Sequence, residues 1–291
     1  MGLPSVLGGN NGGGSAASIP GVQHVVIVVL ENANFGDAHN PQNMPYLNGL
    51  LQRGALAGTY YADAHPSIPN YFEMTAGETF TFDDSFSGTM PDDNIVRKLN
   101  AAGKTWRVYA ESLPSQAYLG GNQQPYLRRH NPFSFFSDVQ NSPAQAANIV
   151  GFGQFGADVS SGTLPSYSFI VPNATDDAHD CPSGGSNCGL STRLQRADAW
   201  LQTNIEPLLQ SAGFQQNDLL VITFDESADD VANLGGHVMT VLVGAHVKVG
   251  FTGSAATYDH RSLLDLSLRS LGISDIPNGA GNAAHMSEFF Q

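Results

Sequence analysis

His24-Val25-Val26-Ile27-Val28-Val29-Leu30-Glu31-Asn32 sets seven residues of strand character directly against a carboxylate and an amide. The apolar part does not alternate with polar residues, which is how a strand covered on both faces of a largely parallel sheet looks. Four more runs of this kind follow: Thr105–Ala110, Ser166–Val171, Asp218–Thr223 and Val238–Val243. Helical patterns lie between them. Met44–Arg53 is stopped by Gly54 and Asp93–Ala102 by Gly103. A long one runs from Thr192 to Ala212, with Leu194, Ala197, Leu201, Ile205 and Leu208 on one face, Ser191 as N-cap, Gly213 as stop and Pro207 as a point of kinking. A last helix is predicted over Asp259–Leu271. Strands alternating with helices predict an α/β fold, a mostly parallel central sheet with helices on both faces. Two long irregular stretches, Ala76–Asp92 and Pro114–Ala144, are expected to build or cover a site.

The 291 residues fit one large domain. Residues 1–20 read as a Gly/Ser-rich leader that does not fold alone, and 21–291 as a single domain. Such a leader serves as a tether to a membrane or wall, or is an artificial extension. Lys+Arg 12 against Asp+Glu 26 gives a net charge of -14, which excludes nucleic acid as a constitutive partner. An anionic substrate remains compatible, because a bound divalent cation reverses the local potential. No apolar run approaches the roughly 20 residues needed to cross a bilayer. Cys181 and Cys188 enclose a short Gly/Ser loop that reaches disulfide geometry easily, and no second cysteine pair supports a zinc knuckle. A disulfide places the chain outside the cytoplasm.

Ligands of open α/β sheets bind beyond the carboxyl ends of the strands, so the residues after each run matter most. Glu31-Asn32 follows the first run, Asn173 through Asp180 follows Ser166–Val171, and Asp225-Glu226 follows Asp218–Thr223. A carboxylate straight after an apolar strand is costly without a cation or several donors beside it. Glu31, Asn32, Asp225 and Glu226 make a hard-oxygen set suited to Mg²⁺, Ca²⁺ or Mn²⁺, with Zn²⁺ also accommodated. In His65-Pro66-Ser67-Ile68-Pro69-Asn70 two prolines restrict the backbone around Ser67. Pro69 suits the first turn of a helix ended by Gly77, so Ser67 is expected near helix amides that favour an oxyanion. Ser67 then reads either as the cap of an ordinary turn or as a nucleophile activated by a metal, and Asn70 as a donor to a phosphate oxygen. His65, His130, His179, His237 and His260 are candidate acids, phosphate ligands or metal ligands, each weighed against a structural hydrogen-bonding role.

The matching segments are Val28-Val29-Leu30-Glu31-Asn32, His65 through Tyr71, His130-Asn131-Pro132-Phe133, Pro172-Asn173 with His179-Asp180, Thr223-Phe224-Asp225-Glu226, Gly236-His237, and Tyr258 through Leu264. With these, in this order, the chain resembles the phosphoesterase family of bacterial and fungal acid phosphatases and phosphatidylcholine-type phospholipases C, a branch of the alkaline phosphatase superfamily. The resemblance covers almost everything after the leader and implies a three-layer, alkaline-phosphatase-like sandwich. It implies one divalent metal on Glu31, Asn32, Asp225 and Glu226, with Ser67 as nucleophile beside it. It implies phosphate binding or leaving-group protonation by His179, His237, His65, His130 and His260, with Asn173 and Asp180 at the substrate. Asn173 stands where a second metal would require Asp. Asn34-Phe35 and Thr175 through Ala178 depart from the family pattern beside the site.

The expected activity is hydrolysis of phosphoric monoesters through a phosphoserine. The alternatives are a phospholipase C or phosphodiesterase, whose lipid rim Phe133-Ser134-Phe135-Phe136 would supply, and a non-catalytic surface binding protein. The family's dedicated phospholipases are longer and carry C-terminal β domains, which favours the monoesterase reading.

Overall fold

A computed structural model describes residues 18–185 and 187–291. The leader therefore lies, but for its last three residues, outside the described residues. One eight-stranded sheet organises the rest: β1 (His24–Leu30), β2 (Gly54–Ala57), β3 (Trp106–Ala110), β4 (Ile149–Gly151), β5 (Tyr167–Val171), β6 (Asp218–Phe224), β7 (Thr240–Gly244) and β8 (Phe251–Gly253). Their spatial order is β4-β3-β5-β1-β6-β7-β2-β8. Only β7 runs against its neighbours, pairing antiparallel with β6 and β2. The sheet is mostly parallel, as expected, with β1 at its centre between β5 and β6.

Val25 to Leu30 are all buried, and so is every residue of β6. Full burial of each such side chain contributes roughly 1.5–3 kcal/mol, so both faces must be covered. One helical group joins Ser67–Ala76, Ile95–Ala101 and His260–Ser270, and another joins Pro45–Gly49, Gly153–Ser161 and Leu190–Gln210.

Several expected boundaries move. Met44–Arg53 resolves into a short helix and the 3-10 turn Leu50–Gln52. The long helix begins at Leu190, with Gly189 rather than Ser191 at its N-cap, and carries Pro207 inside it. It ends at Gln210 because the Ser211 side chain caps a new helix over Ala212–Asn217, within which Gly213 lies. Val238 and Met239 precede β7 instead of opening it. The strands β2, β4 and β8 went unforeseen, being three or four residues long.

Register builds the site. Leu30 pairs with Phe224 at the carboxyl ends of β1 and β6. The next residues, Glu31 and Asp225, therefore leave neighbouring strands at the same level. The Asp225 amide donates to Leu30 O at 2.9 Å, tying the two exits together.

Candidate active site

Ser67 opens the Ser67–Ala76 helix, all ten residues of which are buried. Pro66 precedes it in an extended conformation and Gly77, at φ 81°, closes it in the left-handed region that glycine adopts freely. Its hydroxyl, only 3% exposed, donates to Glu31 Oε2 at 3.2 Å and Glu226 Oε1 at 3.0 Å. Ser67 thus meets the two carboxylates that end β1 and follow β6. The helix amides are not all open to an oxyanion: Ile68 N already donates to Asp84 Oδ1 at 3.1 Å. A loop carboxylate has filled one of the unpaired donors of the first turn.

Glu31 is fully buried. Its Oε1 accepts from the Tyr71 hydroxyl at 2.9 Å and lies 2.9 Å from His130 Nε2, while its Oε2 accepts from Asn32 Nδ2 at 3.1 Å. Burial opposes its ionisation, but the cationic imidazole of His130 overrides this and holds Glu31 well below the usual carboxylate range. His130 is anchored from behind by Asp177, whose Oδ2 accepts from Nδ1 at 3.1 Å. Burial alone would neutralise His130. Glu31 and Asp177 prevail and push it up to about 9. The Tyr71 ring stacks on it at 5.2 Å.

Asp225 and Glu226 have the opposite balance. Burial, reinforced by the charges of Glu31 and Glu226, pushes Asp225 well above its ordinary value. Asp225 Oδ1 accepts from the amides of Asn32 and Glu226 at 3.2 and 2.7 Å, while its buried Oδ2 has no hydrogen-bond partner. Burial and Glu31 push Glu226 up to about 7, against the opposing pull of His65. His65 Nδ1 donates to Glu226 Oε2 and its Nε2 reaches Asp230 O at 3.0 Å. Glu31, Asp225 and Glu226 thus pack three carboxyl groups together, one of them with an orphaned oxygen. That donor set fits a hard divalent cation. A second group shares Glu31: donor atoms of Glu31, His130 and Asp177 all lie within 4.8 Å of one another.

The other expected residues are placed less directly. His179 Nε2 accepts from Arg129 at 3.0 Å and its Nδ1 donates to Asp180 at 2.9 Å. Its ring lies 5.8 Å from that of His130, so this pair borders the centre. His237 is wedged between Phe35 and Tyr61, at 4.0 and 4.7 Å between ring centroids, and reaches Gly58 O at 3.1 Å. Burial lowers its pKa, and its hydrogen bonds go to Gly58 and Asp230 and not to Ser67. His260 is buried, accepts from the Tyr60 hydroxyl at 3.0 Å and donates to Asp225 O at 2.6 Å. Both its nitrogens are engaged, and burial lowers it to about 4. It supports the turn after β6 and presents no donor to a phosphate. Asn173 is likewise engaged, accepting from Thr175 N and Oγ1 and donating to Ser112 Oγ.

Asn70 departs most clearly from its expected role. Its Oδ1 accepts from the amides of Asp63 and Ala64 at 3.0 and 3.1 Å, and its Nδ2 donates to the carbonyls of Ala64 and Pro66 at 2.8 and 3.2 Å. With no polar atom free for a phosphate, it clamps the segment that delivers Ser67. Asn70→Ala should therefore lower the urea midpoint by the equivalent of about 3 kcal/mol, because buried backbone groups lose their partners. An unchanged midpoint would contradict the clamp.

Asp177, Asp84, Tyr71 and Arg129 went unselected from sequence. Tyr71 and Asp177 lie within stretches singled out in the sequence, and Arg129 stands in a cationic spot beside His130 in an acidic chain, but none of these signals assigns a role. Phe133 to Phe136, the lipid rim that the phospholipase C alternative would need, are buried at 0–1% exposure. Phe133 stacks on Trp106 and Phe135 on Phe86, so these rings belong to the core. Cys181 and Cys188 form the expected disulfide. Among the described residues no helix is long and apolar enough to cross a membrane.

The fold, one mostly parallel sheet between helices, is shared with solved proteins of the alkaline phosphatase superfamily. A protein of the alkaline phosphatase superfamily from Vibrio parahaemolyticus superposes with a TM-score of 0.59 at 14% identity, covering 87% of this chain and 68% of that one. The chain belongs to the Phosphoesterase family, whose model matches residues 37–269. It is 32% identical to a probable acid phosphatase of Kluyveromyces lactis over 82% of its own length and 55% of that protein's. It is also 32% identical to a phosphatidylinositol-3-phosphatase of Mycobacterium tuberculosis, over 81% of this chain and 73% of the relative. The chain thus spans little more than half of the fungal relative.

Proposed function

We propose that this chain hydrolyses phosphoric monoesters, in the manner of an acid phosphatase, with Ser67 as nucleophile. The observation that carries this reading is the buried Ser67 hydroxyl held between Glu31 and Glu226 at 3.2 and 3.0 Å. The names of the relatives, acid phosphatase and phosphatidylinositol-3-phosphatase, support the same reaction class. Glu31, Asn32, Asp225 and Glu226 would hold one divalent cation, Ca²⁺, Mg²⁺, Mn²⁺ or Zn²⁺. When bound, the ion neutralises the carboxylates and withdraws charge from the serine and phosphoryl oxygens. A second ion on Glu31, His130 and Asp177 is not needed for the steps below.

Glu226 Oε1 takes the Ser67 proton, with His65 on its other oxygen. Ser67 Oγ bonds to phosphorus as the ester P–O bond breaks in line. The departing alcohol oxygen takes a proton from solvent water, while His179, with Nε2 on Arg129 and Nδ1 on Asp180, fixes that arginine at the margin of the centre. Water then cleaves the phosphoserine and regenerates the hydroxyl. Arg129, against His179 and Asp84 at 3.0 and 3.6 Å, supplies positive charge toward the equatorial oxygens. The disulfide favours work outside the cytoplasm.

p-Nitrophenyl phosphate turnover by the purified chain should vanish on chelation and return with added divalent ion. Undiminished turnover in chelator would remove the cation from the reading, and no turnover with any ion or ester would leave only binding. A second reading, a phospholipid phosphomonoester as substrate, is favoured by the exposed Phe80, Phe82, Val231 and Leu234, at 39, 61, 72 and 76%. Faster release of phosphate from phosphatidylinositol 3-phosphate vesicles than from p-nitrophenyl phosphate would select it. Phosphatidylcholine cleavage would select a phospholipase C instead.

A further inference from the structure

In the loop that follows the Ser67–Ala76 helix, Phe82, Asp83 and Ser85 are exposed, whereas Asp84 between them is half-buried and reaches back to that helix. The loop is pinned on either side. Phe80 packs on Phe72 and Phe86 stacks on Phe135, both at 5.7 Å between ring centroids, and Asp83 Oδ1 accepts from Ser85 N at 2.9 Å. The two oxygens of Asp84 face two different groups. Oδ1 accepts from Ile68 N, the amide directly after Ser67, at 3.1 Å, and Oδ2 lies 3.6 Å from Arg129 Nε. That second contact is an ion pair too long for a hydrogen bond, and buried Arg129 Nε has no hydrogen-bond partner. A first-turn helix amide and a guanidinium are the donors that recognise phosphoryl oxygens. One carboxylate therefore holds both, and leaves the guanidinium nitrogen unsatisfied.

We propose that Asp84 is a built-in competitor of the phosphoryl group: in the resting chain its carboxylate occupies Ile68 N and Arg129, and it leaves both when a phosphate binds beside Ser67. The inference rests on the reading of Ser67 as the residue that meets the phosphoryl group. A phosphoryl group on Ser67 is one residue from the Ile68 amide, and two donors spanned by one carboxylate are also spanned by two oxygens of one phosphate. The second negative charge of a phosphate monoester or of inorganic phosphate makes the stronger pair with the guanidinium, and Arg129 Nε gains the partner it lacks. A carboxylate on the same chain competes at a high effective concentration, so it lowers the affinity for every phosphoryl ligand, the product included. Asp84 takes back the amide and the guanidinium as inorganic phosphate departs. It thereby offsets the product retention that a cation, an arginine and a helix terminus would together cause.

The test measures binding of inorganic phosphate to the full chain by calorimetry in saturating Mg²⁺. Asp84→Ala should bind phosphate about tenfold tighter than wild type, the scale of one charge-assisted hydrogen bond with a partly exposed ion pair. Asp84→Asn should tighten it less, by about threefold, because its amide oxygen still accepts from Ile68 N but releases Arg129. Melting curves check that both variants fold, and added phosphate should raise the melting temperature more in each than in wild type. The kcat/KM for p-nitrophenyl phosphate should rise with the affinity. Equal or weaker phosphate binding in both variants would show that Asp84 holds Arg129 in place for the ligand, and would overturn the competition. An absence of phosphate binding in wild type and both variants would overturn it too. Tighter binding in a chain that turns over no ester would uphold the competitor and count only against the proposed reaction.

Discussion

Ser67→Ala is expected to lower kcat for p-nitrophenyl phosphate by about 10⁴-fold or more, the scale seen when a covalent nucleophile is removed. The hydroxyl donates to Glu31 and Glu226 and lies in a fully buried helix, so alanine leaves the surrounding fold in place. Binding of inorganic phosphate should change only a few-fold, because Arg129 and the cation ligands are untouched. Acid-quenched wild-type chain should carry phosphate on the Ser67 peptide and the variant should not. A variant that turns over at the wild-type rate would end the nucleophile assignment. Loss of phosphate binding in parallel with kcat would turn Ser67 into a binding residue.

Asp225→Asn should move activity and stability in opposite directions. Asp225 is fully buried, crowded by Glu31 and Glu226, and has an oxygen without a partner. In chelator, the amide relieves the repulsion and its Nδ2 finds a carboxylate acceptor, so the variant should be more stable by about 1–2 kcal/mol. Turnover should fall about 10³-fold or more, as expected when an electrostatic element of the site is lost. With saturating Mn²⁺ the order of stability should reverse. Wild type gains the binding free energy, about 2.7 kcal/mol at a hundred times Kd, and the variant gains little. Melting curves in chelator and in Mn²⁺ read both signs. A variant that is less stable in both conditions would show that Asp225 serves the fold and not an ion.

Much of the site was legible because chain continuity carries it. Glu31 and Asp225 follow apolar strands, and the parallel pairing of Leu30 with Phe224 then requires them to be neighbours. Residues whose role depends on a partner far along the chain were read less well. Asn70 looked free until its amide met Asp63, Ala64 and Pro66, and His260 until its ring met Tyr60 and Asp225 O. Asp177 carried no signal beyond its place in an acidic run, because its meaning comes from His130, 47 residues earlier. Phe133 to Phe136 read equally as rim or core, since an aromatic residue in a loop has no periodicity to orient it. The short strands β2, β4 and β8 fall below the length at which any period shows.

The sequence by itself determined the α/β class, the central strands and the set of acids and the serine at their ends, because burial on both faces and abrupt polarity changes are local properties. Tertiary structure alone decided which acid holds His130, which amide is already taken by Asp84, and which histidines stand at the centre rather than behind it. Hydrogen bonds and ion pairs are made within about 3–4 Å, and only the packing of β1, β6 and the Ser67–Ala76 helix brings those partners within such reach.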